Sequence, residues 1–289
     1  MKGIGTCYIV FGSNGFVGNA IATHLEIQGK RVLRVSRDQH DFNSQVKWCQ
    51  RDNVEEDDIL VFAAAKVPVR SFSDFRANMD ILTNFLFNFA EKKPGHLVNI
   101  SSDAVYADTK ELISEYSTLG PSSLHGSMHF TREKALDEVF GGSVLHLRPT
   151  SIYGFRDPHS GYGPNKFIKD ALENGVIELF GNGEEMRDHI YIDDLGYLAS
   201  TAIDKRILGC LNLVTGETNS FFEIAKEVSL NLKETEIVFS PRIGPIPHLG
   251  LRRFSAERVK ELAPNFNFTD ISNGIRQVLS KVSKDNYGT

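Results

Sequence analysis

The apolar run Cys7-Tyr8-Ile9-Val10-Phe11 opens directly onto Gly12-Ser13-Asn14-Gly15-Phe16-Val17-Gly18. A buried strand that enters a glycine turn and leaves as a helix (Asn19–Gln28) is the tightest constraint in the chain. Gly12 permits the bend, Gly15 lets the backbone approach a pyrophosphate, and Gly18 lets the helix pack close to the strand. The helix start presents free N–H groups and the positive end of its dipole. Gly12, Ser13, Asn14, Gly15, Phe16, Val17 and Gly18 are therefore expected to hold a dinucleotide. The alternative is an ordinary tight strand–helix turn with nothing bound.

Downstream, apolar strand runs alternate with helical patterns. Strands are expected at Cys7–Phe11, Arg31–Ser36, Ile59–Ala63, His96–Ser101 and Ser143–Arg148, and helices near Gly18–Gln28, Asp74–Lys92 and Ser127–Phe140. This alternation predicts an α/β fold with a doubly wound parallel sheet and a ligand at the carboxyl ends of its strands. The segment from Ser36 to Ile59 is polar and reads as an abbreviated unit without assignable elements. From about Thr150, loops rich in Gly, Pro, His and Asp alternate with short strands and helices. Residues 1–150 are expected to form the dinucleotide-binding domain. Residues 151–289 are expected to form mainly a smaller substrate-binding lobe, with the chain crossing back between the two.

Bulk properties narrow the function further. A net charge of −5 over 289 residues offers no general basic surface for nucleic acid. Cys7, Cys49 and Cys210 are odd in number and lack metal-ligand spacing, which predicts a reducing, cytoplasmic setting with no disulfide framework and no metal site. No apolar run approaches the ~18 residues that span a bilayer, so no membrane partner is expected. The chain starts on a core strand, which argues against a signal peptide.

Taken together, the motifs resemble the extended short-chain dehydrogenases/reductases, in particular the NAD(P)-dependent nucleotide-sugar epimerase/dehydratase family. The glycine turn is similar to that family's cofactor turn. Asp58-Ile59-Leu60-Val61-Phe62-Ala63-Ala64-Ala65 resembles the strand whose small residues lie against the cofactor. Ser101-Ser102-Asp103-Ala104-Val105-Tyr106 resembles its serine/threonine strand end, and Leu147-Arg148-Pro149-Thr150-Ser151-Ile152-Tyr153-Gly154 its later LRP…YG element. Leu179-Phe180-Gly181-Asn182-Gly183 with Arg187-Asp188-His189-Ile190-Tyr191-Ile192-Asp193-Asp194 is similar to the stretch near the sugar nucleotide. The resemblance implies a Rossmann sheet, a cofactor site that includes Ala63, Ala64, Ala65 and Pro149, and a nucleotide-sugar substrate.

The family's YxxxK pair is missing. In one alignment His125 stands for the tyrosine and His129 for the lysine. In the other Phe130 replaces the tyrosine and Lys134 is kept. The first keeps the following glycine, Gly126, and the later glutamate, Glu133, and leaves a family-like gap to Arg148. His125 and His129 then share a helix face. An imidazole near pKa 6.5 can take a hydroxyl proton without lysine assistance. His129 is expected to donate to ribose hydroxyls and, if charged, to lower the pKa of His125. Ser102 is expected to hydrogen-bond the reacting oxygen. Asp103 stands where dehydratases carry an acid, but Ala104 replaces the second member of their elimination pair. The expected reaction is epimerisation, oxidation or keto reduction. The alternative is a non-catalytic NAD(P)-binding sensor or scaffold.

Ser36 and Arg37 end the second strand and favour the 2′-phosphate of NADP, while Asp38 is able to serve the ribose of NAD instead. On the substrate side, Arg187 is expected at a diphosphate, Asn165 and Lys166 facing phosphate, and Tyr162 near the sugar. Arg252 and Arg253 lie where the family often has a late arginine, and Arg253 is the candidate taken here. The apolar stripe of the helix at Asp74–Lys92 is wider than one sheet face needs, which predicts a homodimer.

Overall fold

The computed structural model describes residues 5–159, 161–232 and 235–285. β1 (Cys7–Phe11) is buried along its whole length, as an unbroken apolar run requires of a strand covered on both faces. It leads through the glycine turn into α1 (Phe16–Ile27), then β2 (Arg31–Val35) and β3 (Ile59–Phe62). α2 (Phe72–Phe89) starts at a capping box in which Ser71 and Asp74 satisfy each other's backbone N–H groups. β4 (His96–Ile100) precedes α3 (Leu124–Phe140), which begins three residues earlier than expected because Ser123 caps it, accepting from Gly126 N at 3.1 Å. β5 (Val144–Pro149) completes this half.

The second half brings β6 (Ser151–Tyr153), α4 (Pro164–Asn174), β7 (Val176–Phe180), β8 (Met186–Arg187), β9 (His189–Tyr191), α5 (Ile192–Asp204) and β10 (Gly209–Leu213). It ends with β11 (Asn219–Ser220), α6 (Phe221–Asn231), β12 (Glu236–Ser240), β13 (Leu251–Arg252), α7 (Glu257–Leu262) and α8 (Ile271–Asp285).

The main sheet is parallel in the order β10-β5-β4-β3-β1-β2. The chain moves one way from β1 to β2 and the other way from β3 onward, so the strand order reverses between β1 and β3. That is where an open α/β sheet leaves a crevice beyond its carboxyl ends. β10 pairs with β5 from Gly209↔Leu145 to Leu213↔Pro149, at the edge of this sheet. Tyr8, Val10 and Val61 face α1 and α5 on one side. Ile9, Phe11, Leu60 and Phe62 face α2 and α3 on the other. A third core, with Phe167, Ile177, Phe221 and Ile275, holds the short carboxyl-terminal sheets together.

The polar segment 36–58 forms no strand. It is tied down by two aromatic plugs, Phe42 and Trp48, whose rings meet Phe11 edge-on at 5.3 and 5.1 Å. The buried face of α2 supplies the tethers: Asn84 donates to the Phe42 carbonyl at 2.6 Å, and Asn88 accepts from Trp48 N at 2.7 Å. The same helix spends Ile81, Leu82, Phe85 and Phe89 on the core and leaves Phe72 and Phe87 exposed. None of the described helices is long and apolar enough to cross a membrane.

Candidate functional site

The turn after β1 has no room for side chains. Gly12 adopts φ +84°, and a Cβ there would lie 2.7 Å from Ala64 N; one on Gly18 would lie 2.3 Å from the Gly12 carbonyl. α1 begins with neither a side-chain cap nor an acidic residue in its first turn. Its first N–H groups therefore remain open to an anion. Phe16 and Val17 offer only backbone to that anion, since their side chains pack against the third core. Ser13 is fully buried, and its hydroxyl has no partner among the described residues.

Beyond the turn lies a cleft of about 430 Å³, with Gly12, Asn14 and Gly15 on one side and Ala63, Ala64 and Ala65 on another. Arg37 and Asp38 stand on its wall, both exposed. Ser36 is already engaged: its N–H and hydroxyl both reach Gln39 Oε1, at 2.8 and 3.3 Å. Pro149 is buried at the end of β5, opposite Leu213. Bare backbone, small side chains and an uncapped helix start fit a dinucleotide.

α3 reaches the same end of the sheet. A Cβ on Gly126 would fall 2.1 Å from the Ala104 carbonyl, so glycine alone lets the first turn of α3 press against the residues after β4. This contact brings His125 within electrostatic reach of Asp103. Burial lowers the pKa of His125 most, with a small push down from His159, while the Asp103 carboxylate works to raise it. Its Nδ1 accepts from Val69 N at 3.4 Å. The His129 ring meets it edge-on at 4.8 Å. His129 is only 4% exposed, and its Nδ1 has no partner among the described residues. Burial, then His125 and Arg132, hold it well below the usual histidine range. It is therefore neutral at physiological pH, which removes the expected charge assistance to His125.

Ser102 caps the turn after β4, accepting from Ala104 N at 3.2 Å, and donates weakly to Asp103 at 3.4 Å. Asp103 is not free. Arg252 Nε donates to its carboxylate at 2.7 Å, and a second guanidinium nitrogen donates to its carbonyl. Arg252 also reaches Asp108 at 3.3 Å. Below this layer, Glu133 fixes the register of α3, accepting from Ser101 at 2.5 Å and from Arg148 at 2.9 and 2.6 Å.

The expected substrate residues are placed differently. Arg187 pairs with Arg252 across the β8–β13 register, but it is buried and spends its donors on Glu185 (2.7 Å) and the Met186 and Pro247 carbonyls. Arg242 shares Glu185. Arg253 is exposed, and Arg252 takes the inward position because alternate residues of a strand face opposite ways. Asn165 is buried with both ends of its amide on the Gly154 backbone, at 3.1 and 2.7 Å, so it does not face phosphate. Lys166 pairs with Asp170 at 2.8 Å. Tyr162 packs on Phe167, Phe180 and Phe221, and its hydroxyl accepts from Phe180 N at 3.1 Å. Sequence reasoning missed Glu185, Arg242 and the inward Arg252. Only the i, i+2 spacing of Glu185 and Arg187, which puts opposite charges on one face of a strand, could have pointed to the first.

Comparisons with known proteins agree with this fold. The UDP-glucose 4-epimerase of Thermus thermophilus, solved with NAD, superposes with a TM-score of 0.80 at 21% identity, covering 95% of this chain and 99% of that one. TunA, an NAD-dependent NDP-hexosamine 5,6-dehydratase, gives a TM-score of 0.83 at 17% identity, covering 98% and 99%. The UDP-glucose 4-epimerase of Mycolicibacterium smegmatis is 24% identical over 218 residues, 65% of this chain and 70% of that protein. Residues 8–209, well over half the chain, match one family directly, and the chain is a member of it: the NAD dependent epimerase/dehydratase family.

Proposed function

We propose that the chain carries out an NAD(P)-dependent epimerisation, oxidation or keto reduction of a nucleotide-activated sugar, with His125 handling the proton. The observation that carries this reading is the close approach at Gly126, which puts His125 beside Asp103 at the carboxyl ends of the strands. The relatives named above act on UDP-glucose or an NDP-hexosamine, in line with such a substrate. A bound nicotinamide dinucleotide would accept the hydride in oxidation and, in its reduced form, deliver it in keto reduction; epimerisation would use both in turn. His125 would take the hydroxyl proton in the oxidative direction and return it in the reductive one, with Ser102 hydrogen-bonding the same oxygen. For His125 to act as base through Nε2, its proton must sit on Nδ1, which breaks the 3.4 Å contact from Val69 N. A contact of that length is weak and gives way for about 1 kcal/mol or less.

The test is incubation with NAD(P) and a panel of nucleotide sugars, following absorbance at 340 nm and product. His125→Ala is expected to lower turnover by about 10²-fold or more while leaving dinucleotide affinity intact. Unchanged turnover removes His125 as the proton carrier.

A second reading, a non-catalytic dinucleotide sensor, is favoured by the neutral, buried His129 and by the internal pairing of Arg187 and Arg252. Binding of dinucleotide without turnover of any sugar selects it.

For the cofactor we favour NADP, because Arg37 is exposed on the cleft wall with its fork available. Tighter binding of NAD than of NADP assigns the wall to Asp38 instead. Phe72 and Phe87 on α2 support a homodimer, which light scattering at micromolar concentration tests. The three free cysteines suit a cytoplasmic protein.

A further inference from the structure

Arg132 lies one turn after His129 on α3 and is 2% exposed. Its guanidinium stacks on the Phe62 ring at 3.7 Å, and Phe62 stacks in turn on Phe85 at 3.9 Å. One terminal nitrogen donates to the Ala64 carbonyl at 3.0 Å and the other to the Phe62 carbonyl at 2.5 Å. Among the described residues Nε has no acceptor and no carboxylate pairs with the group. Glu133, next in sequence, is committed to Arg148 and Ser101.

Buried charges are ordinarily paired. Exceptions of this kind concentrate at functional sites. The two carbonyls that Arg132 grips lie at the last residue of β3 and two residues beyond it. That strand end backs directly onto Gly12 and, through Ala63–Ala65, forms one side of the cleft. The cation therefore sits one peptide layer beneath the cleft, on the side where the glycine turn and the start of α1 await an anion.

We propose that Arg132 is a positioning residue of the dinucleotide site, clamping the end of β3 behind Gly12 and finding its missing counter-charge in the anionic dinucleotide itself. The inference rests on the cleft taking NAD(P). Charge–charge attraction there is strong because a buried group is poorly screened by solvent or salt. The same charge also helps to keep His129 neutral.

The test is calorimetric titration of NADP and NAD into the wild type, Arg132→Gln and Arg132→Lys. Glutamine keeps a donor for one carbonyl and loses the charge, so affinity is expected to fall at least about tenfold. Lysine keeps the charge, and at about pH 6 it is expected to bind within about threefold of wild type.

Burial pushes Arg132 itself down to about 9. The same burial brings proton loss from a lysine into the range of about pH 6 to 9, so Arg132→Lys is expected to lose about tenfold in affinity across that range relative to wild type. The other titratable and charged groups at this end of the sheet are His125, His129 and Glu133 on α3, Arg148 on β5, Asp103 after β4, Lys66 and Asp74 beyond β3, and Arg37, Asp38, His40 and Asp41 in the cleft. All are common to both proteins, and all but His129, which the Arg132 charge itself helps to hold neutral, cancel in the ratio. Should Arg132→Gln fail to fold, the lysine titration carries the test.

Glutamine binding as tightly as wild type, or a lysine variant with no extra pH dependence, overturns the role of Arg132 and leaves the functional reading standing. A wild type that binds neither dinucleotide removes both.

Discussion

The two ends of the candidate site are built on opposite principles. Around the glycine turn, polar groups are left open: α1 has no cap, the Ser13 hydroxyl has no partner among the described residues, and Arg37 stands exposed on the wall. On the carboxyl-terminal side, the buried arginines and Lys166 already have protein partners. Arg187 and Arg242 share Glu185, Arg252 holds Asp103, and Lys166 holds Asp170. The first arrangement would receive a ligand without rearranging. The second would have to exchange an internal carboxylate for a ligand anion, so any affinity there would be a difference between two pairings.

Acid exposes the largest effects and tests whether the main sheet and the carboxyl-terminal half that carry these two ends are equally robust. His96 on β4 and His189 on β9 are both buried and pushed down to about 4, chiefly by burial. The native form binds fewer protons than the unfolded chain between that value and about 6.5. The stability of each neutral ring is thus intact above about pH 6.5 and lost as pH falls, on the order of 3 kcal/mol per histidine by pH 4. Denaturation midpoints of His96→Gln and His189→Gln at pH 4.5 and 7.5 assign the acid response to the main sheet or to the carboxyl-terminal half. A flat midpoint in the wild type sinks both assignments.

Next comes Arg187→Ala, which strands part of Glu185 and is expected to cost about 3 kcal/mol in urea unfolding. Arg37→Ala, on the open side, leaves the midpoint unchanged and instead erodes any preference for NADP. Equal destabilisation by the two variants breaks the contrast. Gly18→Ala forces a methyl against the Gly12 carbonyl at 2.3 Å, expected to cost about 1–3 kcal/mol and to abolish dinucleotide binding by calorimetry. The smallest effect belongs to Lys166→Ala, within about 0.5 kcal/mol, because that pair is half-exposed and local to one helix.

The dinucleotide end was largely legible in the sequence because its determinants are contiguous. β1, the turn and α1 follow one another, and each apolar run ended within a residue of its strand. The carboxyl-terminal end was not, because its determinants are long-range. Nothing local separates Arg252 from Arg253; the difference is set when a two-residue strand pairs with Met186-Arg187. Asn165 and Tyr162 look like ligand-binding residues, yet they satisfy a distant glycine backbone and an aromatic cluster. The segment after β2 stayed unread for the same reason, since Phe42 and Trp48 are held by asparagines some forty positions away.

Those asparagines have a mechanical consequence. The loop that carries His40 and Phe42 along the cleft has no strand of its own and borrows its stiffness from α2 through Asn84 and Asn88. The outward side of that helix, where Phe87 is bare, is therefore joined to the wall of the cleft by two side-chain hydrogen bonds as well as by the ring contacts that reach the sheet.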